Sequence, residues 1–385
     1  MDQQLDRRGF LRRGIGYGVG AAAVGAGLPA LLAACGSSSK SGSAATTAGG
    51  ATTTAGGSAA TTAAGAATTA GTKKDLGKMS LRLSWIKNSE FAGSYMADDS
   101  GFYTAEGFSS VDLIAGGPSA SPIEVDVQSG KALVGISSPD LVAAAIAKGA
   151  DLAIIGVQYQ KNPFAVMSLA KSPIKSPQEM YGKKFGLQAA NQVVWDAFVK
   201  ASGIDDSKIN KIPAQFDPQP LVNGETDCWF SFVTNEPNLL KVKGVDTYSF
   251  LIADFGYPLV SEVYVVKRDS LTKNRDALKG FLKAEIKGWT AVKKDPAKAA
   301  DITVNKYGKD LGLTADEQVL EIKAENELIW TDDTKANGVF SITDKLIGEN
   351  IDVLKKGGLD ITAAKLFDLS ILTEIYKENP DLKAG

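Results

Sequence analysis

From Lys73 onward, short apolar runs alternate with longer amphipathic stretches, and that alternation limits the fold more than any other feature of the chain. Short runs rich in β-branched and aromatic residues read as strands. Stretches with apolar residues three and four apart read as helices. Strands are expected at 81–86, 111–115, 132–137, 152–157 and 164–169. Helices are expected at 91–99, after Gly116-Gly117-Pro118 to about Ser129, and at 139–148 behind Ser137 and Ser138. Such an order builds an α/β domain on a largely parallel sheet.

The segment 171–177, rich in Lys, Ser and Pro, reads as a crossing into a second α/β set. Strands are expected there at 184–187, 209–214, 227–232 and 247–253, with helices at 191–201 and 237–242. The run 261–267 reads as a strand returning to the first domain. Helices then follow at 275–294, 296–306, 314–330 and 343–355. The expected division is therefore 73–172 plus 259–385 for lobe 1 and 173–258 for lobe 2. Ligands of open α/β sheets bind outside the carboxyl ends of strands, so two facing lobes form a cleft between them.

The first 72 residues do not read as part of either lobe. Arg7-Arg8-Gly9-Phe10-Leu11-Arg12-Arg13 precedes a stretch free of charge from Gly14 to Ser39. A basic start, a weakly apolar Gly/Ala run and small residues at its end make an export signal at 1–34, and the paired arginines resemble the twin-arginine type. Leu32-Ala33-Ala34-Cys35 resembles a lipobox, which implies lipidation at Cys35. Residues 36–72 hold only Gly, Ser, Ala and Thr apart from Lys40. Such a segment buries too little apolar surface to fold, so 35–72 reads as a disordered tether spanning roughly 30 Å.

Composition narrows the chemistry. The 385 residues contain no histidine, which removes Ser-His-Asp and Cys-His nucleophile machinery and His-ligated metal sites. Two cysteines, Cys35 and Cys228, cannot supply a disulfide framework or a four-cysteine site. No metal and no cofactor is expected. Net charge is −2, without the clustered basic residues that nucleic acid requires. Binding is favoured over catalysis.

Candidate binding residues fall at strand ends and helix starts. Trp85 offers an aromatic face, and Asn88 offers donors and an acceptor to a heterocycle edge. Ser137 and Ser138 precede a helix N-terminus, where hydroxyls and free N–H groups suit an anion or carbonyl, though capping explains them equally well. Tyr159 closes a strand and is a stacking candidate. Gln188 and Asn191 mark the matching turn of the second lobe. In Asp227-Cys228-Trp229-Phe230-Ser231-Phe232-Val233-Thr234-Asn235-Glu236-Pro237, an aromatic strand leads into a helix start. There Trp229 could stack, and Asn235 and Glu236 could take up ring N–H or amino groups. Tyr257 precedes the return strand at the cleft rim. Arginine is scarce after the tether, with Arg82, Arg268 and Arg275 alone, and none at these turns. That favours a near-neutral aromatic ligand over one needing a bidentate arginine.

The segments Trp85-Ile86-Lys87-Asn88-Ser89-Glu90-Phe91-Ala92-Gly93-Ser94-Tyr95 and Gly101-Phe102-Tyr103-Thr104-Ala105-Glu106-Gly107-Phe108 resemble those of ABC-importer solute-binding proteins. The superfamily is the one for nitrate, sulfonates, taurine, pyrimidine thiamine precursors and riboflavin. The Thr234-Asn235-Glu236-Pro237 segment is similar to its pyrimidine- and flavin-binding branch. The resemblance implies a two-lobed α/β fold of the type II periplasmic-binding-protein kind, with an interdomain cleft and C-terminal helices. It implies a lipid-anchored, monomeric protein on the outer face of the cytoplasmic membrane. Its partners would be a small-molecule ligand and ABC permease subunits, with no nucleic acid. The leading ligand is a pyrimidine thiamine precursor or riboflavin-like heterocycle, and the alternative is a sulfonate, taurine or nitrate-like anion. The superfamily also has a pyrimidine-synthesising enzyme branch, whose chemistry, as the resemblance implies, consumes a histidine and pyridoxal phosphate. This sequence has no histidine and begins with an export signal, which disfavours that branch. A sensor or scaffold on the same fold would be expected to carry a signalling domain.

Overall fold

The computed structural model describes residues 74–383. The export signal, the tether and Cys35 lie outside the described residues. Ten strands form two five-stranded sheets. The first contains β1 (Gly77–Arg82), β2 (Phe108–Ile114), β3 (Val134–Ser137), β4 (Leu152–Tyr159) and β10 (Ser261–Lys267), in the order β2-β1-β3-β10-β4. The second contains β5 (Phe164–Leu169), β6 (Lys184–Gln188), β7 (Asn210–Ala214), β8 (Cys228–Phe232) and β9 (Thr247–Leu251), in the order β7-β6-β8-β5-β9.

The two sheets share one plan. β1 pairs in parallel with β2 and β3, and β6 pairs in parallel with β7 and β8. In each sheet the fourth strand is antiparallel to both neighbours. It is β10 in the first sheet and β5 in the second. Each of these strands enters directly from the other lobe. This places one boundary differently from the sequence expectation. β5 belongs to the second sheet, so the first crossing lies at 160–163, and the segment 171–177 falls inside lobe 2. An apolar strand following β4 after a short turn carries no local mark of which sheet it joins. The second crossing lies between β9 and β10.

Side-chain burial explains the layers. Helix Arg275–Lys294 buries Leu278, Phe281, Leu282, Glu285, Ile286, Trp289 and Val292, a stripe at three- and four-residue spacing laid on the first lobe. It crosses helix Ala92–Asp99 where both chains lack a side chain. A Cβ on Gly93 would meet the Trp289 ring at 2.2 Å, and one on Gly288 would meet the Gly93 carbonyl oxygen at 2.1 Å. Edge strand β4 is closed by the C-terminal region, through bridges from Ile154 to Phe367 and from Val157 to Phe340. The opposite sheet ends in exposed β7, whose Pro213 suits an edge position.

Three apolar clusters result. One lies within lobe 1 under helix Arg275–Lys294. A second runs from Ile123, Val142 and Val265 of lobe 1 to Phe185, Trp195 and Phe230 of lobe 2, joining the lobes on the side of the crossings. A third, with Met167, Leu221, Trp229 and Leu240, lies on the other face of the second sheet. Helix Pro296–Ile302 gives way at Thr303 to a wider turn, where the Thr303 hydroxyl donates to the Ala299 carbonyl at 2.8 Å.

Candidate functional site

A cleft of about 360 Å³ opens between the lobes. Lobe 1 supplies the turn after β1, the loop 117–122, the ends of β3 and the start of β10. Lobe 2 supplies Phe164, the turn after β6 and the turn after β8. These are strand ends, where an α/β sheet exposes its loops. The loop wall sits flush on the β1 turn because Gly116 has no side chain. A Cβ there would approach the Ser84 carbonyl oxygen at 2.5 Å, and its N–H donates to the Trp85 carbonyl at 2.7 Å.

Trp85, Ser137, Ser138, Asn191, Asn235 and Glu236 line the cleft. Trp85 is partly buried, its ring packed on the lobe 1 core. From the other lobe Phe164 and Phe232 face the same space, their rings 4.5 Å apart and edge to face. The two serines are not free hydroxyls. Ser137 donates to the Glu124 carboxylate and Ser138 to Asp140, and neither caps the following helix. Glu236 starts helix Glu236–Val242 and accepts the Phe232 N–H at 2.9 Å.

Asn88, Tyr159, Gln188, Trp229 and Tyr257 stand apart from the cleft wall. The Asn88 amide donates to Glu321 at 2.6 Å from beneath the β1 turn. Tyr159 is fully buried in the lobe 1 core. Gln188 donates to the Phe230 carbonyl at 2.9 Å and accepts from Asn191 at 3.1 Å, so it fixes the cleft residue Asn191 from behind. Trp229 points to the opposite sheet face from Phe230, as strand alternation requires. Its ring lies against Gly186, where a Cβ would be 2.4 Å away. The Tyr257 hydroxyl donates to Asp140 at 2.6 Å, and its ring meets Phe198 edge-on, so it ties a lobe 1 helix start to a lobe 2 helix at the second crossing.

The cleft also holds residues that strand and turn signals did not single out: Ser84, Glu90, Glu124, Ser261 and Glu262. Arg82 is there too, but its charge is committed. Its Nε donates to Asp126 at 2.9 Å, and its terminal nitrogens donate to the carbonyls of Leu83 at 2.6 Å and Ser121 at 3.0 Å. Burial alone would raise the Asp126 pKa, and hydrogen bonds from Ser121, Arg82 and Lys131 bring it below the usual value. Arg82 is the one cationic side chain of the cleft lining among the described residues, facing four glutamates.

All four glutamates have their pKa raised, chiefly by burial. Burial pushes Glu236 up to about 8 and Glu262 up to about 8. Burial first, then the charge of Glu262, pushes Glu90 well up. Burial raises Glu124. Behind them, Glu317, Glu321 and Glu325 recur every fourth residue along helix Ala315–Ile329, and all three are raised, chiefly by burial. One backbone distortion serves the site directly. Glu262 has φ 48°, a left-handed conformation that costs a non-glycine residue energy. Neighbours in a regular strand face opposite sides. Here Ser261 and Glu262 both reach the cleft.

The chain matches the NMT1/THI5-like family over residues 88–299 and belongs to that family. It is 25% identical over 276 residues to the riboflavin-binding protein RibY of Chloroflexus aurantiacus, covering 70% of this chain and 77% of the relative. Among solved structures, a protein of Bordetella bronchiseptica superposes with a TM-score of 0.61 at 16% identity, over 79% of this chain and 98% of that one. The aliphatic sulphonate binding protein SsuA of Escherichia coli superposes with a TM-score of 0.53 at 15% identity, over 72% of this chain and 86% of that one. The fold is that of the two-lobed periplasmic binding proteins, and it includes C-terminal helices.

Proposed function

We propose that this protein is the solute-binding component of an ABC importer and that its interlobe cleft takes a small aromatic heterocycle rich in hydrogen-bond donors. The carrying observation is the cleft wall itself. Trp85 of lobe 1 and Phe232 of lobe 2 supply aromatic faces from opposite sides, and Glu90, Glu124, Glu236 and Glu262 supply acceptors between them. A pyrimidine or an isoalloxazine ring presents flat faces and polar edges that suit such walls. The riboflavin-binding name of the Chloroflexus relative agrees with this reading. A sulfonate or nitrate would meet four carboxyl groups and an arginine already paired, which disfavours the anionic alternative.

In this reading the ligand touches both lobes and so favours the closed arrangement, with bending at the two crossings. The protein hands the ligand to permease subunits and performs no chemistry on it. Cys35 carries lipid, and the tether 36–72 spaces a monomeric protein from the outer face of the cytoplasmic membrane. No described helix is long and apolar enough to cross a membrane.

Thermal unfolding with riboflavin, an aminomethyl-pyrimidine, taurine and nitrate tests the ligand class. A ligand at about 1,000 times its Kd stabilises by roughly 4 kcal/mol. That is a shift of several degrees in Tm. A shift with riboflavin or the pyrimidine is expected. A shift with taurine or nitrate alone would overturn the heterocycle reading.

A further inference from the structure

A single hydroxyl sits between two carboxyl groups in the cleft. Ser84 Oγ lies 2.9 Å from Glu90 Oε1 and 2.8 Å from Glu262 Oε2. A serine has one hydrogen to donate, so it satisfies one carboxylate, and the second contact needs a proton on the other carboxyl group. At least one proton is therefore held in this trio. Beside it Ser261 lines the cleft, is 1% exposed, and its hydroxyl has no hydrogen-bond partner among the described residues. The strained backbone of Glu262 keeps its carboxyl group in this position.

We propose that the Ser84–Glu90–Glu262 trio is a receptor for a positively charged nitrogen of the ligand, a protonated amine or amidinium, which takes the place of the held proton. The inference rests on the heterocycle reading and adds charge to it. A neutral carboxyl group loses its proton to solvent, and the carboxylate so formed pairs with the incoming cation, so net charge in the pocket is conserved. Ser261 accepts a hydrogen bond from the same nitrogen. The one cationic side chain of the cleft lining among the described residues, Arg82, is paired with Asp126 and does not compete. Around the trio, the groups that bear on its protonation are Glu236 from lobe 2 and Glu321 and Glu325 from helix Ala315–Ile329, with the phenols of Tyr95 and Tyr159 beneath. All of these are acidic, so the surroundings favour a cation and none supplies one.

The test is calorimetry on the full chain with an aminomethyl-pyrimidine, charged at pH 7, and the matching hydroxymethyl-pyrimidine, which is neutral there. Titrations in buffers of different ionisation enthalpy count the protons released. The amine is expected to bind at least about tenfold tighter, as a charge-assisted contact should. It is expected to release close to one proton. In Glu262→Gln the affinity ratio should fall toward one and the released proton should vanish. Glu90→Gln repeats the test if the first variant folds poorly. Equal affinities, or binding of the amine without proton release, would overturn the inference and leave the heterocycle reading intact. Taurine binding in place of both pyrimidines would overturn the two together.

Discussion

Two tryptophans of similar sequence context have different surroundings. Trp85 ends a turn at the cleft, and Trp229 is pressed into the sheet against Gly186. Trp229→Ala should cost about 3–5 kcal/mol of stability, the usual price of an emptied aromatic core site. Ligand preference in the panel should not change. Trp85→Ala should leave the free energy of unfolding within about 1 kcal/mol of the parent, because its ring is only partly buried, while ligand affinity falls at least about tenfold. Chemical denaturation and ligand titration of both variants check the pair. The sequence placed both rings at strand ends, but strand ends alone do not say which face a side chain takes. In β8 alternation sends Phe230 inward to one core and Trp229 to the other. Glu262 was hidden for a different reason. Its run reads as an ordinary strand, and the positive φ that turns it to the cleft comes from tertiary context.

At the scale of elements, most strand and helix positions were legible because period and capping residues mark them. The run 164–169 and the run 261–267 coincide with β5 and β10, and 275–294 coincides with the long helix. Sheet membership was less legible. β5 and β10 are the strands inserted antiparallel into the sheet of the opposite lobe, and nothing within their six or seven residues encodes that exchange. Helix contact was similarly hidden until Gly93 met Trp289. Gly93→Ala removes the space the indole occupies, so the two helices must separate. The expected cost is about 1–3 kcal/mol, as for other overpacked sites. A lowered urea midpoint at unchanged slope would show it. A midpoint equal to the parent's would mean that the helices pack more loosely than these contacts require.

Across the whole molecule, the buried carboxyl groups set the response to pH. A carboxyl group whose folded pKa lies above its unfolded value binds its proton more tightly when folded. Its contribution to stability is fully present below the unfolded value and is lost as pH rises through the folded value. Glu236 and Glu262 place that loss between about 4.5 and about 8, and Glu285, raised by burial to about 6, adds to its lower part. Glu374 acts in the opposite sense. Hydrogen bonds from Lys279 and Arg275 hold it down at about 2, so its contribution is lost only as pH falls below the usual carboxylate range. The ligand-free protein should therefore melt several degrees higher at about pH 5.5 than at about pH 8.5. A melting temperature that is flat or rising over that interval would show that these glutamates are ionised in the folded protein.

The central claim, that an aromatic ligand enters between the lobes against Trp85, has a direct optical test. Of the five tryptophans, Trp85 lines the cleft, while Trp195, Trp229, Trp289 and Trp330 are buried elsewhere. Titration of an aminomethyl-pyrimidine into the full chain should change tryptophan emission with saturation, and in Trp85→Phe that change should be lost while calorimetry still detects binding. An emission change of the same size in Trp85→Phe would place the ligand elsewhere and contradict the account.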